Sequence, residues 1–194
     1  MSLRSFKTER LAVLALAPKC RRPVSLRAMR HLIAILLQNE AGALTRVTGL
    51  ISSRGYNIES LSVAPTNDPT VSRVTLVTIG SDEVIAQINA QLLKLVDVVA
   101  VEDMTGGDHL ARELLLIKLQ VPVEHVEVVG TLLRRVNGRI LSANPSSFIV
   151  ELTSTETEIG EFIANVAAFG EIVEVVRSGV LGIARANPRL HVVK

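Results

Sequence analysis

The chain has no tryptophan, one tyrosine and four phenylalanines among its 194 residues. Surfaces that hold single-stranded nucleic acid stack bases on aromatic rings, so this composition argues against that function. A single cysteine, Cys20, excludes an intrachain disulfide and a cysteine metal cluster, and fits a reducing cytoplasm. The four histidines, His31, His109, His125 and His191, have no spacing that sets two on one helical face as metal ligands. Each reads as a surface or structural residue. No apolar run approaches the roughly 20 residues that cross a bilayer as a helix. Phosphate-cradling and nucleophile-elbow motifs are also missing, and Gly106-Gly107 reads as a linker. Glu156, Glu158 and Glu161 gather at a helix start, where carboxylates complement the dipole. These absences leave no nucleophile, base or metal set for catalysis by the chain alone.

What is present is a hydrophobic content of 48%, enough for one medium packed domain or two small ones. The excess of basic charge is local. Residues 1–28 hold seven of the 21 Lys/Arg and only Glu9 among acids, leaving 14 basic against 18 acidic residues, a net −4, in 29–194. That balance argues against direct DNA contact. For 1–28 three readings compete: a targeting peptide, a disordered arm, or an extension ahead of the natural start. Pro18-Lys19-Cys20 does not resemble a cleavage site and Met29 stands just before the first strand. A basic extension outside the fold, expected to be disordered, is favoured.

The most informative segment is Gln38-Asn39-Glu40-Ala41-Gly42-Ala43-Leu44. It follows the apolar strand Leu32–Leu37 and precedes a helix whose apolar stripe carries Leu44, Val47, Leu50 and Ile51. Free amides and the positive dipole end collect at a helix start and favour a carboxylate or phosphate. Gly42 lets a ligand approach the backbone.

Two copies of one order follow. Arg30 to Met104 reads strand, helix, strand, strand, helix, strand. The second strand spans Tyr56 to Pro65, Asn67-Asp68-Pro69 makes the hairpin, and Val71 to Ile79 returns. Ser81 or Asp82 caps a helix bearing Val84, Ile85, Ile88 and Leu92, and Val96 to Val101 closes the unit. This βαββαβ order is ferredoxin-like, with both helices on one face of the sheet and the other face expected to be free. The expected boundaries are 1–28 for the extension, 29–104 for the first domain, 105–108 for a linker and 109–194 for the second domain with a tail. In that second domain Glu113–Leu119 is a strand, and Val126, Val129, Leu133 and Val136 mark a helix stopped by Asn137-Gly138. Arg139–Ala143 and Ser147–Thr153 form a hairpin. Ile159, Phe162, Ile163 and Val166 mark a helix before the strand Ile172–Arg177. The fold class is α+β. Residues 179–194 give no assignment.

Asn39 to Leu44, Arg54-Gly55-Tyr56-Asn57-Ile58-Glu59-Ser60-Leu61, Val63-Ala64-Pro65-Thr66, Lys94-Leu95-Val96-Asp97-Val98 and Val175-Val176-Arg177-Ser178-Gly179-Val180-Leu181-Gly182 together resemble the small regulatory subunit of acetohydroxyacid (acetolactate) synthase, whose first domain is an ACT domain. The resemblance covers about 29–185. It implies a non-catalytic, cytoplasmic regulatory subunit of branched-chain amino-acid biosynthesis, a homodimer through the ACT domain. Its implied partner is a catalytic large subunit that binds thiamine diphosphate, FAD and magnesium, cofactors absent from this chain. It also implies activation of that subunit and feedback inhibition by valine, with no nucleic-acid or membrane partner. Carried over residue by residue, the effector site is Asn39, Glu40, Ala41, Gly42, Ala43 and Leu44 of one protomer with Asn57 and Ile58 of the other. Amides near Gly42 and Ala43 would take the carboxylate. Asn39 and Asn57 would bond polar groups, Ile58 would make apolar contact, and Ala41 and Ala43 would line the pocket. A competing reading is a free-standing tandem ACT sensor acting on a transcription regulator.

Overall fold

The computed structural model describes residues 29–144, 147–185, 191 and 192. The reading of 1–28 concerns residues outside that range. The first domain consists of β1 (Met29–Gln38), α1 (Ala43–Ser53), β2 (Ile58–Pro65), β3 (Val71–Gly80), α2 (Asp82–Leu92) and β4 (Val98–Asp103). Ile33, Ile35 and Leu37 project from one face of β1 into a core completed by Val47 and Ile51 of α1 and Ile85, Ile88 and Leu92 of α2. The strand alternates with period two while each helix repeats every three to four residues, so both patterns meet on one face. The Ser81 hydroxyl accepts the Val84 amide and starts α2.

Strand β1 extends beyond the expected Leu32–Leu37, and the starts of two later strands in this domain also differ from the sequence reading. Strand β4 begins at Val98 rather than Val96, because turn bonds from Leu95 to Leu92 and from Val98 to Leu95 carry the end of α2 past an exposed Val96. Strand β2 begins at Ile58 rather than Tyr56, whose amide is held by the Ile51 carbonyl at the end of α1.

The second domain repeats the plan with β5 (His109–Gln120), a 3-10 turn (Val123–His125), α3 (Val126–Arg135), β6 (Arg139–Ala143), β7 (Ser147–Ser154), α4 (Glu156–Val166) and β8 (Glu171–Arg177). Its sheet order, β6-β7-β5-β8, matches the β2-β3-β1-β4 run of the first sheet. Asn137, at φ 54°, turns the chain out of α3 as the sequence anticipates. Thr155 and Glu158 close a capping box at the start of α4.

The tail makes β9 (Leu181–Ala184) and β10 (His191–Val192). Strand β10 pairs with β4 at the edge of the first sheet. Strand β9 pairs with His109–Arg112, the start of β5, which therefore begins four residues before the expected Glu113. Both β8 and β9 run antiparallel to β5, successive segments of one chain broken by a kink at Ser178–Val180. The outcome is a two-stranded arm reaching back onto the first domain.

That arm corrects the expectation of a free sheet face. Leu32, Ala34 and Val77 of the first sheet pack with Met104, Ala111 and Val180. A Cβ on Gly182 would stand 2.7 Å from the Met104 methyl and 2.8 Å from a Leu32 methyl, so a side chain there would push both buried residues aside. Apolar side chains on a sheet need cover, and β5 with β9 supplies it from within the chain.

Candidate functional site

Strand β1 ends in a loop fixed by backbone bonds on both sides. The Gln38 amide donates to Asp97 at 2.8 Å and the Asn39 amide to Thr70 at 2.7 Å. Asn39 Nδ2 also donates to the Pro69 carbonyl at 3.0 Å. Opposite it, Asp68 Oδ1 accepts the Thr70 amide and hydroxyl, which tightens the hairpin that faces the loop. Gly42 sits at the helix N-cap with φ 85°, a left-handed conformation that L side chains resist.

The loop's donors are distributed more narrowly than the sequence suggests. The Ala43 amide donates to the Glu40 carbonyl at 3.2 Å, and the Arg46 amide to Gly42 at 3.0 Å. Among the described residues, the amides of Gly42, Leu44 and Thr45 have no such carbonyl partner. The Ala43 side chain is buried in the core and Leu44 packs against it, whereas Ala41 is exposed. Ala43 begins the apolar stripe of α1, which turns its methyl inward.

One pair of functional interest escapes the sequence motif reading. Arg46, in the second turn of α1, makes a two-pronged ion pair with Asp97, its Nη2 lying 2.8 Å from Oδ1. Asp97 is almost fully buried, and the Arg46 hydrogen bond holds its carboxyl below the ordinary value. The residues lie 51 positions apart, so no local spacing could announce the pair. The signal was that Asp97 stood inside a motif carried by the resemblance. Arg46 Nη1 also lies 3.2 Å from where a Gly42 side chain would begin. The loop, the helix start and the turn before β4 thus form one braced unit.

Asn57 and Ile58 stand elsewhere. Asn57 is exposed, and its carbonyl accepts the Thr78 hydroxyl at 2.6 Å. Gln38 pairs with Val71 at the start of β3, whereas Ile58 pairs with Thr78. Seven residues of strand separate these positions, about 23 Å. One chain therefore holds the two groups of candidate residues at opposite ends of its sheet.

The C-terminal motif has a different role. Gly179, at φ 74°, forms the kink between β8 and β9, and the Val180 amide donates to Ser60 Oγ at 3.0 Å. Arg73 donates to the Gly182 carbonyl at 3.1 Å. Arg177 grips the buried Glu113, with Nε 2.9 Å from Oε1, and Arg30 pairs with both Glu59 and Glu156. Of these contacts, Val180 to Ser60, Arg73 to Gly182 and Arg30 to Glu156 join the two domains.

Comparison with known proteins gives a consistent picture. Residues 33–100 match the model described as AHAS small subunit-like ACT domain, and residues 112–186 match that described as small subunit of acetolactate synthase. The chain is 45% identical over 159 residues to the acetolactate synthase isozyme 3 small subunit of Escherichia coli strain K12, covering 82% of this chain and 98% of that protein. It is 37% identical over 161 residues to a probable acetolactate synthase small subunit of Archaeoglobus fulgidus, covering 83% of this chain and 100% of that one. The crystal structure of the acetolactate synthase small subunit from Thermotoga maritima superposes with a TM-score of 0.74 at 29% identity, over 82% of this chain and 99% of that chain.

Proposed function

The chain belongs to the acetolactate synthase small-subunit family, and on that premise we propose that it binds valine between two protomers and relays the occupancy of that site to a catalytic large subunit. The relatives are small subunits of a larger enzyme, which supports a non-catalytic partner role for this chain. Carbon–carbon bond formation, with its thiamine diphosphate, FAD and magnesium, falls on the large subunit.

The observation that carries the effector site is the separation of its halves. Among the described residues, strand β2 is at the edge of the first sheet, with β3 on one side only. Such an edge offers unpaired amides and carbonyls to another strand. Pairing β2 antiparallel with its copy carries Asn57 and Ile58 of the partner subunit to the end of the sheet where Gln38 leads into Gly42. Valine's carboxylate then meets the free amides of Gly42, Leu44 and Thr45 at the positive end of α1. Asn39 and the partner's Asn57 offer hydrogen bonds to the ammonium or carboxylate, Ala41 leaves room for a short side chain, and the partner's Ile58 supplies apolar contact. Glu40 places a negative charge within reach of the ammonium.

A ligand at such a junction shifts the dimer only by its differential affinity for two arrangements. Arg46–Asp97 ties the loop to β4, and the arm ties the sheet to the second domain, so a change at the junction has a mechanical path outward. Isothermal titration of the purified chain with valine, leucine and isoleucine tests the sensor. Saturable heat with one site per protomer is expected, and no binding by any of the three overturns it. Affinity capture from a lysate tests the partner: recovery of a thiamine-dependent synthase is expected, and recovery of a transcription regulator instead favours the free-standing sensor.

A further inference from the structure

The segment carrying Asn57 and Ile58 joins its own sheet at a break in the ladder. The pairing of β2 with β3 breaks register between Ile58 and Ser60, a bulge at Glu59 in an edge strand. Bulged residues lose ladder bonds, and an edge strand has a neighbour on one side only. Within the first domain the Thr78 hydroxyl on the Asn57 carbonyl, the Arg30 guanidinium on Glu59 and the packing of Ile58 on the core are the side-chain holds. Two ties lead on to the second domain. Ser60 Oγ accepts the Val180 amide, and Glu59 pairs with Arg30, which also grips Glu156 at the start of α4.

The kink that delivers the Val180 amide is itself fixed to the second domain's central strand. The Ser178 amide donates to the Leu114 carbonyl at 3.0 Å, and the Leu114 amide returns a bond to Ser178 Oγ at 3.0 Å. Gly179 supplies the left-handed turn, and a Cβ there would lie 2.5 Å from Ser60 Oγ. An added atom at that kink would push the Ser60 hydroxyl out of its bond with the Val180 amide.

We infer that Ser60 and Gly179 are positioning residues through which the second domain sets the placement of Asn57 and Ile58, and so the affinity of the effector site. The inference rests on the interfacial valine site proposed above. In it the second domain is the anvil against which half of the site is formed, and the first domain alone presents that half loosely. The bulge leaves the exposed Asn57 and the start of β2 to be set by whatever holds Ser60, while Ile58 keeps its pairing with Thr78 and its packing on the first core. The hydroxyl–amide bond is the point of transfer.

Hydrogen exchange on the full-length chain, read by mass spectrometry without ligand, tests the positioning directly. Ser60→Ala removes the acceptor and is expected to speed exchange across 57–61 by about three- to tenfold, the range a net hydrogen bond implies. Exchange in β3, residues 71–80, stays unchanged, which separates local release from general loosening. Gly179→Ala is expected to do the same with a larger effect, and Ser60→Ala keeps the test open if that variant fails to fold. Valine affinity is expected to fall by a similar factor in Ser60→Ala while dimers persist. Wild-type exchange across 57–61 in Ser60→Ala overturns the inference, as does faster exchange there with unchanged valine affinity. If the wild-type chain binds no valine, the effector reading falls, and the exchange rates still decide whether Ser60 positions the segment.

Discussion

At the scale of single residues the loop at Gly42 is where small changes have the largest consequence. Gly42→Asp adds a side chain at a left-handed φ of 85°, and in the proposed effector site the new carboxylate would stand beside Arg46 and the valine carboxylate. It is expected to abolish valine inhibition of the reconstituted enzyme while leaving uninhibited activity in place; retained inhibition in the steady-state assay would remove Gly42 from the site. Asn57 is exposed, and its side chain carries no bond that the fold needs. Asn57→Ala is therefore expected to weaken valine binding about three- to tenfold, one lost hydrogen bond. Light scattering should still give a dimer, and wild-type affinity by calorimetry would exclude the residue.

Elements are braced by pairs that bridge long stretches of sequence, and the brace most relevant to the site is Arg46–Asp97 between α1 and β4. The bond from Arg46 lowers the Asp97 pKa, so the native state binds fewer protons than the unfolded chain near and below the ordinary carboxylate range. Stability from this pair is fully present above about pH 4 and is lost as pH falls through the lowered native value. Asp97→Asn is expected to melt at lower temperature than wild type near neutrality, and the two melting temperatures should converge on acidification. A difference that persists or grows in acid, followed by circular dichroism, would contradict the assignment. Glu158 follows the same sign, held low by Ser154 first and then Thr155 in the α4 capping box. Packing sets the rest of the element scale. Leu76 of β3 is fully buried beneath both helices, and Leu76→Ala should cost about 2–5 kcal/mol in a denaturant titration.

For the whole molecule, the two sheets are linked by exchange of segments. The start of β5 and all of β9 belong to the second domain's strands yet cover the first domain's sheet, and β10 completes the edge beyond β4. A chain built this way transmits strain between domains more readily than one joined by a free linker, because packed elements shift as units. The exposed edge at β2 remains as the natural place for a second copy. Multi-angle light scattering is expected to give twice the chain mass of 20.9 kDa, and a monomer at micromolar concentration would remove the interfacial site.

Much of this was legible in the residues. The strands around Leu32–Leu37 and Val71–Ile79 and the helices with Val47 and Ile51, or with Ile85 and Ile88, follow from the apolar pattern, since each must bury one face. Both ferredoxin-like units and the loop at a helix start could be read in that way, and the family motifs singled out Asn57 and Ile58. Residues 179–184 were opaque for a physical reason. Val180 and Gly182 meet Leu32 and Ser60 from far along the chain, and a short strand that pairs with one neighbour has too few residues to show a period. The same limit hid Arg46–Asp97. The sequence by itself determined the elements, their order and the chemical character of the loop, because these depend on neighbours within a few residues. Tertiary structure alone decided that the sheet face is covered by the arm, that the loop and Asn57 lie at opposite ends of one sheet, and that Ser60 meets Gly179, because those facts depend on which distant surfaces pack together.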